Sequence, residues 1–421
     1  MLVSHPANMA KGWRSLLEEE SEHQWLAMAG FLAFILLGAL LIQGTSSLPG
    51  VDYRTQGLSA MDGRVLDIAY GDSGTYTAMV LGDDGAVLYH LDKDGQINDI
   101  GSEYPDILDL TFMTKLHDGS VVLSPDNNTL EVIHVDENIE QHTQVDLEFQ
   151  GQNFDVLDLA EQKSDDSYRW LMITDEGQSN SMRGFGPIGA SSESLIADAA
   201  LTAATVSPSS ISWESVESLG DGEWVAVGST VSSFESGKDS PATPKKQPVL
   251  GFVSWTNGPT SPMLTLLEYP DTGDIHSLIQ LENGTLLAVG TESSIHIAKD
   301  QTMTSVEVAS VSAVLDDEGS VWFFGSKGST SVIRFTEGVP ETMPLARPLP
   351  LTVEVSTVSN DIVYAFGIND AGEPVTYSID TLASGSISSG RGFLNFMFVA
   401  ISTVIMGVMF WTAFNRMREN Q

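Results

Sequence analysis

Carboxylates are the reactive groups this sequence offers in quantity, and several fall where apolar runs are joined by short turns. Asp83 and Asp84, Asp126, Asp175 and Glu176, Glu292 and Asp370 all occupy such joints. Carboxylate and carbonyl oxygens are what a hard cation needs, so a ring of these side chains could hold calcium. A solvated acidic surface accounts for them better, because the whole chain is acidic. Asp92-Lys93-Asp94-Gly95 with Asp99 matches part of a calcium loop but lacks the third early oxygen donor and the closing glutamate. His90, His134 and His296 stand in similar local contexts. Imidazole is a ligand for zinc or copper, but repeat ancestry accounts better for three histidines at matching positions.

Asn127-Asn128-Thr129 and Asn283-Gly284-Thr285 match the glycosylation acceptor pattern, and both fall in expected turns. Three of the nine lysines, Lys238, Lys245 and Lys246, lie in one stretch rich in proline and serine between Phe234 and Pro248. That composition predicts an exposed loop, and it is a candidate partner contact. No catalytic signature accompanies these features. The Gly-x-Ser-x-Gly elbow, the His-Glu-x-x-His helix, the phosphate-binding Gly-Lys-Ser/Thr loop and the dinucleotide fingerprint are all missing. A carboxylate pair could run glycoside hydrolysis, but among 57 acidic residues the sequence nominates no pair.

Those 57 acidic residues stand against 19 basic ones, a formal charge of -38. Such a surface repels phosphate backbones, which argues against a nucleic-acid partner. The chain has no cysteine, so disulfides, thiolate metal sites and cysteine nucleophiles are excluded together.

The elements that position these groups begin with two apolar runs at opposite ends, 25–43 and 393–414. Each has about 20 residues, the length of a membrane-spanning helix. The first run exceeds the apolar core of a cleaved signal and lacks a small-residue cleavage site, which favours an uncleaved anchor. Lys11 and Arg14 precede it, and Arg416 and Arg418 follow the second, against Arg54 and Arg391 on the other flanks. The bias predicts cytoplasmic tails at 1–24 and 415–421, with the body at 51–390 outside the cell membrane. Ala29 with Ala33 and Thr403 with Gly407 are small pairs that would let the helices approach closely.

The body between reads as short β-runs punctuated by Asp-Gly, Asn-Gly and Ser-Gly turns. Val65-Leu66-Asp67-Ile68-Ala69 recurs as Ile107-Leu108-Asp109-Leu110-Thr111 and as Val156-Leu157-Asp158-Leu159-Ala160. Val225-Ala226-Val227-Gly228 recurs as Leu287-Ala288-Val289-Gly290, Trp322-Phe323-Phe324-Gly325 and Tyr364-Ala365-Phe366-Gly367. A third pattern links Val87–Asp92, Leu130–Asp136, Ser294–Ala298 and Val375–Asp380. In order, these are the first three strands of a four-stranded unit. Seven units begin near residues 63, 104, 152, 209, 274, 309 and 350, at a spacing of roughly 48 residues, slightly above common propeller blades. Ser191–Ser210 reads as an irregular connector with a short helix at 193–204.

The pattern resembles a seven-bladed β-propeller of the quinoprotein-like and WD40-like shape, without the Trp-Asp or Gly-Gly signatures that would name a family. The fold expected is all-β, with four-stranded antiparallel blades and one transmembrane helix at each end. A solenoid of sheets or two packed sandwiches would satisfy the same spacing. A closed ring needs its last blade to meet its first, and residues 51–59 beside 382–388 could supply the closing strand. The resemblance and the missing motifs together lead to a binding or scaffolding module, or a subunit of an envelope complex, with a protein or glycan partner. The alternative is a propeller hydrolase acting on glycans or lactones.

Overall fold

In the computed structural model, the chain is a seven-bladed β-propeller. It describes residues 30–41, 61–381 and 393–411. The gaps within these ranges are 62, 71–74, 93–95, 109–111, 137–138, 165–166, 178–179, 188–193, 205–206, 208–209, 236–242, 257–260, 346–347, 360 and 409–410. The blades occupy 64–104, 113–146, 155–198, 211–268, 275–306, 312–344 and 352–380, each an antiparallel meander running outward from the axis.

Seven apolar clusters fill the seven blade-to-blade interfaces. One example joins Leu219, Val225 and Val227 of blade 4 to Ile275, Leu286 and Ala288 of blade 5. Trp224 and Ala226, the alternate residues of the same strand, face blade 3. Period-two alternation therefore sends successive side chains into two different interfaces. This explains why the second strands are continuous apolar runs rather than alternating ones. Val225, Ala226 and Val227 are all fully buried. Ring closure is equally explicit: Met61, Val65, Ala78 and Val80 of the first blade region pack on Tyr364 and Phe366 of blade 7. Tyr76 donates to the Val358 carbonyl at 2.6 Å, and Arg64 makes a two-pronged pair with Glu354 at 2.7 and 2.8 Å.

Three sequence expectations need correction. Ile107 belongs to the core between blades 1 and 2, and the inner strand of blade 2 is Met113–Lys115. The connector expected to hold a helix is two strands, Ser194–Asp198 on the edge of blade 3 and Ala200–Ala204. The second pairs in parallel with Met263–Glu268 and makes blade 4 five-stranded. Alanine-rich composition favoured a helix there, but two open sheet edges offered backbone partners, and tertiary pairing overrides propensity. Most of the lysine-rich insertion is also strand, since Glu223–Glu235 and Thr243–Ser254 pair out to Glu235↔Thr243. Blade 7 has three strands among the described residues, and the closing strand expected of 51–59 and 382–388 lies outside them.

Helical segments at 30–41 and 393–408 form a separate unit with the chain ends. The expected spans 25–43 and 393–414 are described only in part. Among the described residues no helix is long and apolar enough to cross a membrane. The two segments touch: Phe34 and Phe398 stack with centroids 5.7 Å apart. A β-carbon on Gly38 would collide with the Phe398 ring, so that glycine, rather than the expected Thr403–Gly407 pair, permits the close approach. Thr403 instead donates to the Val399 carbonyl of its own helix.

Candidate functional site

A β-bulge interrupts inner strands of blades 1, 3, 4, 5 and 7 at the same point, adding Leu66, Leu157, Glu214, His276 and Glu354. A bulge re-aims the residue that follows it. In blades 1 and 3 that residue is an aspartate, and each carboxylate reaches the next described inner strand or its own backbone. Asp67 accepts from Met113 N at 2.6 Å and Ile68 N at 2.8 Å. Asp158 accepts from Val216 N and Leu159 N, both at 2.8 Å. The repeated Val-Leu-Asp signature thus braces blade 1 to blade 2 and blade 3 to blade 4. An aspartate at the centre of an apolar run was the visible clue, since a buried polar group must find partners.

Desolvation dominates the chemistry of these groups. It raises Asp67 to about 7, with the negative field of Asp158 adding to it and the two backbone bonds opposing. It raises Asp158 to about 6. Glu217 on blade 4 is raised to about 7, mainly by desolvation and secondarily by Asp158. Three inner-strand carboxylates are therefore within electrostatic range through Asp158 and change charge near neutrality. Asp109, the corresponding residue of the second repeat, lies outside the described residues.

The predicted acidic ring does not gather. Asp83 and Asp84 are exposed in the first-blade turn. Glu176 pairs with Arg183, Asp370 with Lys327, and Glu292 accepts from Thr272 at 2.8 Å. Asp126 and Asp175 do act on one place: after desolvation, their fields help raise Asp155. No group of three or more histidine or acidic side chains among the described residues could hold a metal ion. Lys238 lies outside the described residues, Lys245 is half-buried on the blade 4 hairpin, and Lys246 pairs with Asp274. Asn127 is exposed in its turn, and Asn283 accepts from Thr285 N and Thr285 Oγ1 at 3.0 and 2.7 Å.

His90 and His296 sit on equivalent third strands in different surroundings, as does exposed His134. His296 meets Thr285 Oγ1 at 2.9 Å. His90 contacts Glu140 across the blade 1–blade 2 interface. His142 reaches Glu140 at 3.0 Å and Glu131 at 2.6 Å, Ser102 donates to Glu140 at 2.8 Å, and Tyr104 donates to Glu131 at 2.9 Å. Burial works against ionisation of Glu140, but hydrogen bonds from His142, His90 and Ser102 outweigh it and hold the carboxyl at about 2. Burial likewise opposes protonation of His142, and its two glutamate partners raise it regardless.

Two adjoining clefts lie among blades 2, 3 and 4, with volumes of about 430 and 590 Å³, and share Phe149, Gln150 and Gln152. These volumes suit small ligands or peptide side chains. Their shared wall is fixed by Arg183, whose side chain is 2% exposed. It donates to Asp198 at 3.0 Å, Thr174 at 3.0 Å and Gln152 at 3.2 Å. Its guanidinium lies 4.8 Å from the Phe149 ring centre and 4.5 Å from that of Phe154. No motif marks this clamp along the chain, because its partners run from Phe149 to Asp198.

No family model and no curated protein matches the chain. Solved structures do. The propeller domain of Cps50 (Swd1) from Myceliophthora thermophila aligns with a TM-score of 0.50 at 8% identity, covering 76% of this chain and 98% of that one. BBS1N, solved in complex with ARL6DN, aligns at 0.44 and 11% identity over 80% and 98% of the two chains. A gluconolactonase from Xanthomonas campestris aligns at 0.41 and 11% identity over 79% and 94%. At such identities the likeness speaks for the fold alone, and the fold is the seven-bladed propeller.

Proposed function

We propose that this protein is a propeller held outside the cell membrane by helices at both ends of its chain, serving there as a binding or scaffolding module of an envelope complex. The observation that carries the reading is the helix pair. Leu32, Leu36, Leu40, Phe396, Val404 and Trp411 stay exposed after the two helices have packed together. Apolar surface of that extent needs a cover, and the apolar sequence that extends the first segment back to Trp25 and the second on to Phe414 fits a bilayer as that cover. The lysines and arginines at 11, 14, 416 and 418 favour cytoplasmic tails. Adjoining clefts beside a rigid Arg183 wall supply a place for a partner's side chains or a glycan. The test is alkaline carbonate extraction of membranes, followed by recovery of the detergent-solubilised protein with whatever accompanies it. Retention in the membrane and a stoichiometric companion are expected. Release by carbonate would overturn the anchoring, and recovery alone would overturn the complex.

One observation favours a second reading, a hydrolase acting on glycans or lactones: Asp67 and Glu217 are each raised to about 7, where a general acid or base works best. Against it, both Asp67 oxygens are already occupied by backbone N–H groups. Hydrolysis of a lactone or glycan panel that disappears in Glu217→Gln would establish this reading over the first.

A further inference from the structure

Blades packed together at the axis diverge toward the rim, and each pair leaves a wedge. Between blades 5 and 6 this wedge is a groove of about 670 Å³. Its apolar wall combines Val306 from the outer strand of blade 5 with Phe335 and Pro340 from blade 6. Three exposed glutamates, Glu282, Glu307 and Glu337, also line it. Other surface carboxylates find cations, as in Lys327–Asp370, Lys246–Asp274 and Arg334–Glu318. These three form no ion pair among the described residues, and nearby Lys299 lies against Gly284. Gly319, with φ of 78°, keeps the wedge open beside Glu282; a β-carbon there would sit 3.2 Å from the Glu282 carboxylate.

We infer that this groove receives an arginine- or lysine-bearing segment of a partner polypeptide. The match is one of shape and charge together. Long basic side chains lay an aliphatic stem on apolar surface and keep the charged head in a polar rim. Val306, Phe335 and Pro340 provide the first environment, and the glutamates provide the second. The uniform acidity of the chain repels anions everywhere, but only an apolar floor under unpaired carboxylates selects a basic side chain over a hydrated cation. The inference rests on the binding-module reading and names the chemistry of the partner.

The test uses the full chain in detergent and a short labelled peptide of alternating arginine and leucine. Affinity is compared in three proteins: the native chain, Glu282→Gln/Glu307→Gln/Glu337→Gln, and a control with equal charge loss, Asp84→Asn/Asp99→Asn/Glu103→Gln, on blade 1. All six positions are exposed, so folding is preserved. A dye on Thr304→Cys, within the groove of this cysteine-free chain, reports arrival directly. Expected are a loss of about tenfold in the groove variant, less than about twofold in the control, and a spectral shift of the dye. Equal losses in both variants, absence of binding, or an unmoved dye would overturn the proposal. Because the assay needs no membrane and no native companion, its failure leaves the anchoring result untouched, and failed anchoring leaves this assay interpretable.

Discussion

Replacing Arg183 tests whether the wall shared by the two clefts among blades 2, 3 and 4 is a clamp or merely a filled space. The perturbation is Arg183→Met, which keeps an unbranched stem between Phe149 and Phe154 and removes the charge and the fork. Four acceptors lose a donor: Glu176, Asp198, Thr174 and Gln152. Asp198 is 59% exposed and Glu176 28% exposed, so both return to water, and each is worth no more than about 1 kcal/mol. Thr174 keeps its bond to the Ser181 carbonyl at 3.3 Å. Hydrogen bonds from a charged donor to the two neutral acceptors add about 1 kcal/mol each, and the ring contacts about 1 kcal/mol. Relief of the buried guanidinium's desolvation, and methionine's own contact with the rings, return part of this. The net cost is about 2 kcal/mol.

Urea unfolding of the detergent-solubilised chain, followed by tryptophan fluorescence, reads this directly. The ordering of variants is more diagnostic than any one value. Arg183→Ala adds a cavity and should cost most, about 4 kcal/mol. Arg183→Lys leaves an ammonium buried without the planar fork, so it should be no better than methionine. A lysine variant more stable than the methionine variant, or a methionine variant within about 0.5 kcal/mol of native, would refute the clamp.

Stability should rise as pH falls from 8 to about 5. Asp67, Asp158 and Glu217 have folded-state values above their unfolded ones, so the folded state holds extra protons between about 4 and 7; their contribution is full at the acid end of that window and is lost as pH rises through it. His142, also raised, has the same sign: its contribution is present below the ordinary histidine range and lost as pH rises. A urea midpoint that climbs steadily from pH 5 to 8 would contradict both. Glu140→Gln removes the acceptor shared by His90, His142 and Ser102, and should cost about 1–2 kcal/mol at pH 5.5 but less at higher pH, as His142 gives up its proton; a loss that does not change with pH would count against the charged network. Glu140 itself, held low, contributes stability that is lost only as pH falls from the ordinary carboxylate range toward about 2. Tyr76→Phe deletes the bond to the Val358 carbonyl across the ring closure and should cost about 1 kcal/mol, with faster hydrogen exchange in blades 1 and 7. Unchanged exchange there would mean that the apolar cluster and the Arg64–Glu354 pair close the ring without this bond.

The repeat was legible because buried strands leave a chemical record. Val225-Ala226-Val227 reads as unbroken apolar sequence since both faces of that strand meet other blades, and its copies mark the second strand of later blades. Third strands were equally clear. What escaped was anything decided by partners distant along the chain. Residues 194–204 have a composition that suits a helix, and only the open edges of blades 3 and 4 make them strands. Thr243–Pro248 looked like loop because proline and lysine dominate it, although the neighbouring hairpin strand supplies its backbone bonds. Glu176 and Asp370, two of the acidic positions, are spoken for by Arg183 and Lys327, which a list of carboxylates does not reveal.

The inner ring shows why chemistry-bearing residues in a repeat protein must be read with their position in the blade. The residue after the bulge is aspartate in blades 1 and 3, serine at 215 and 277 in blades 4 and 5, and Val355 in blade 7. Only the aspartates can accept two backbone N–H bonds with one charged group, and only they carry a desolvation penalty. The early blades are therefore braced by bonds whose cost depends on pH, and the bulge site of blade 7 is instead joined to blade 1 by the two-pronged Arg64–Glu354 pair. Neutralising the braces with Asp67→Asn and Asp158→Asn replaces two acceptor oxygens by one, so the bond to the neighbouring strand weakens while the share of the pH slope that these two groups carry disappears. Those two consequences have opposite signs above pH 7, where relief of the buried charge offsets the lost bond. Below pH 5 only the loss remains, and there the substitutions must be purely destabilising if the carboxylates serve as braces.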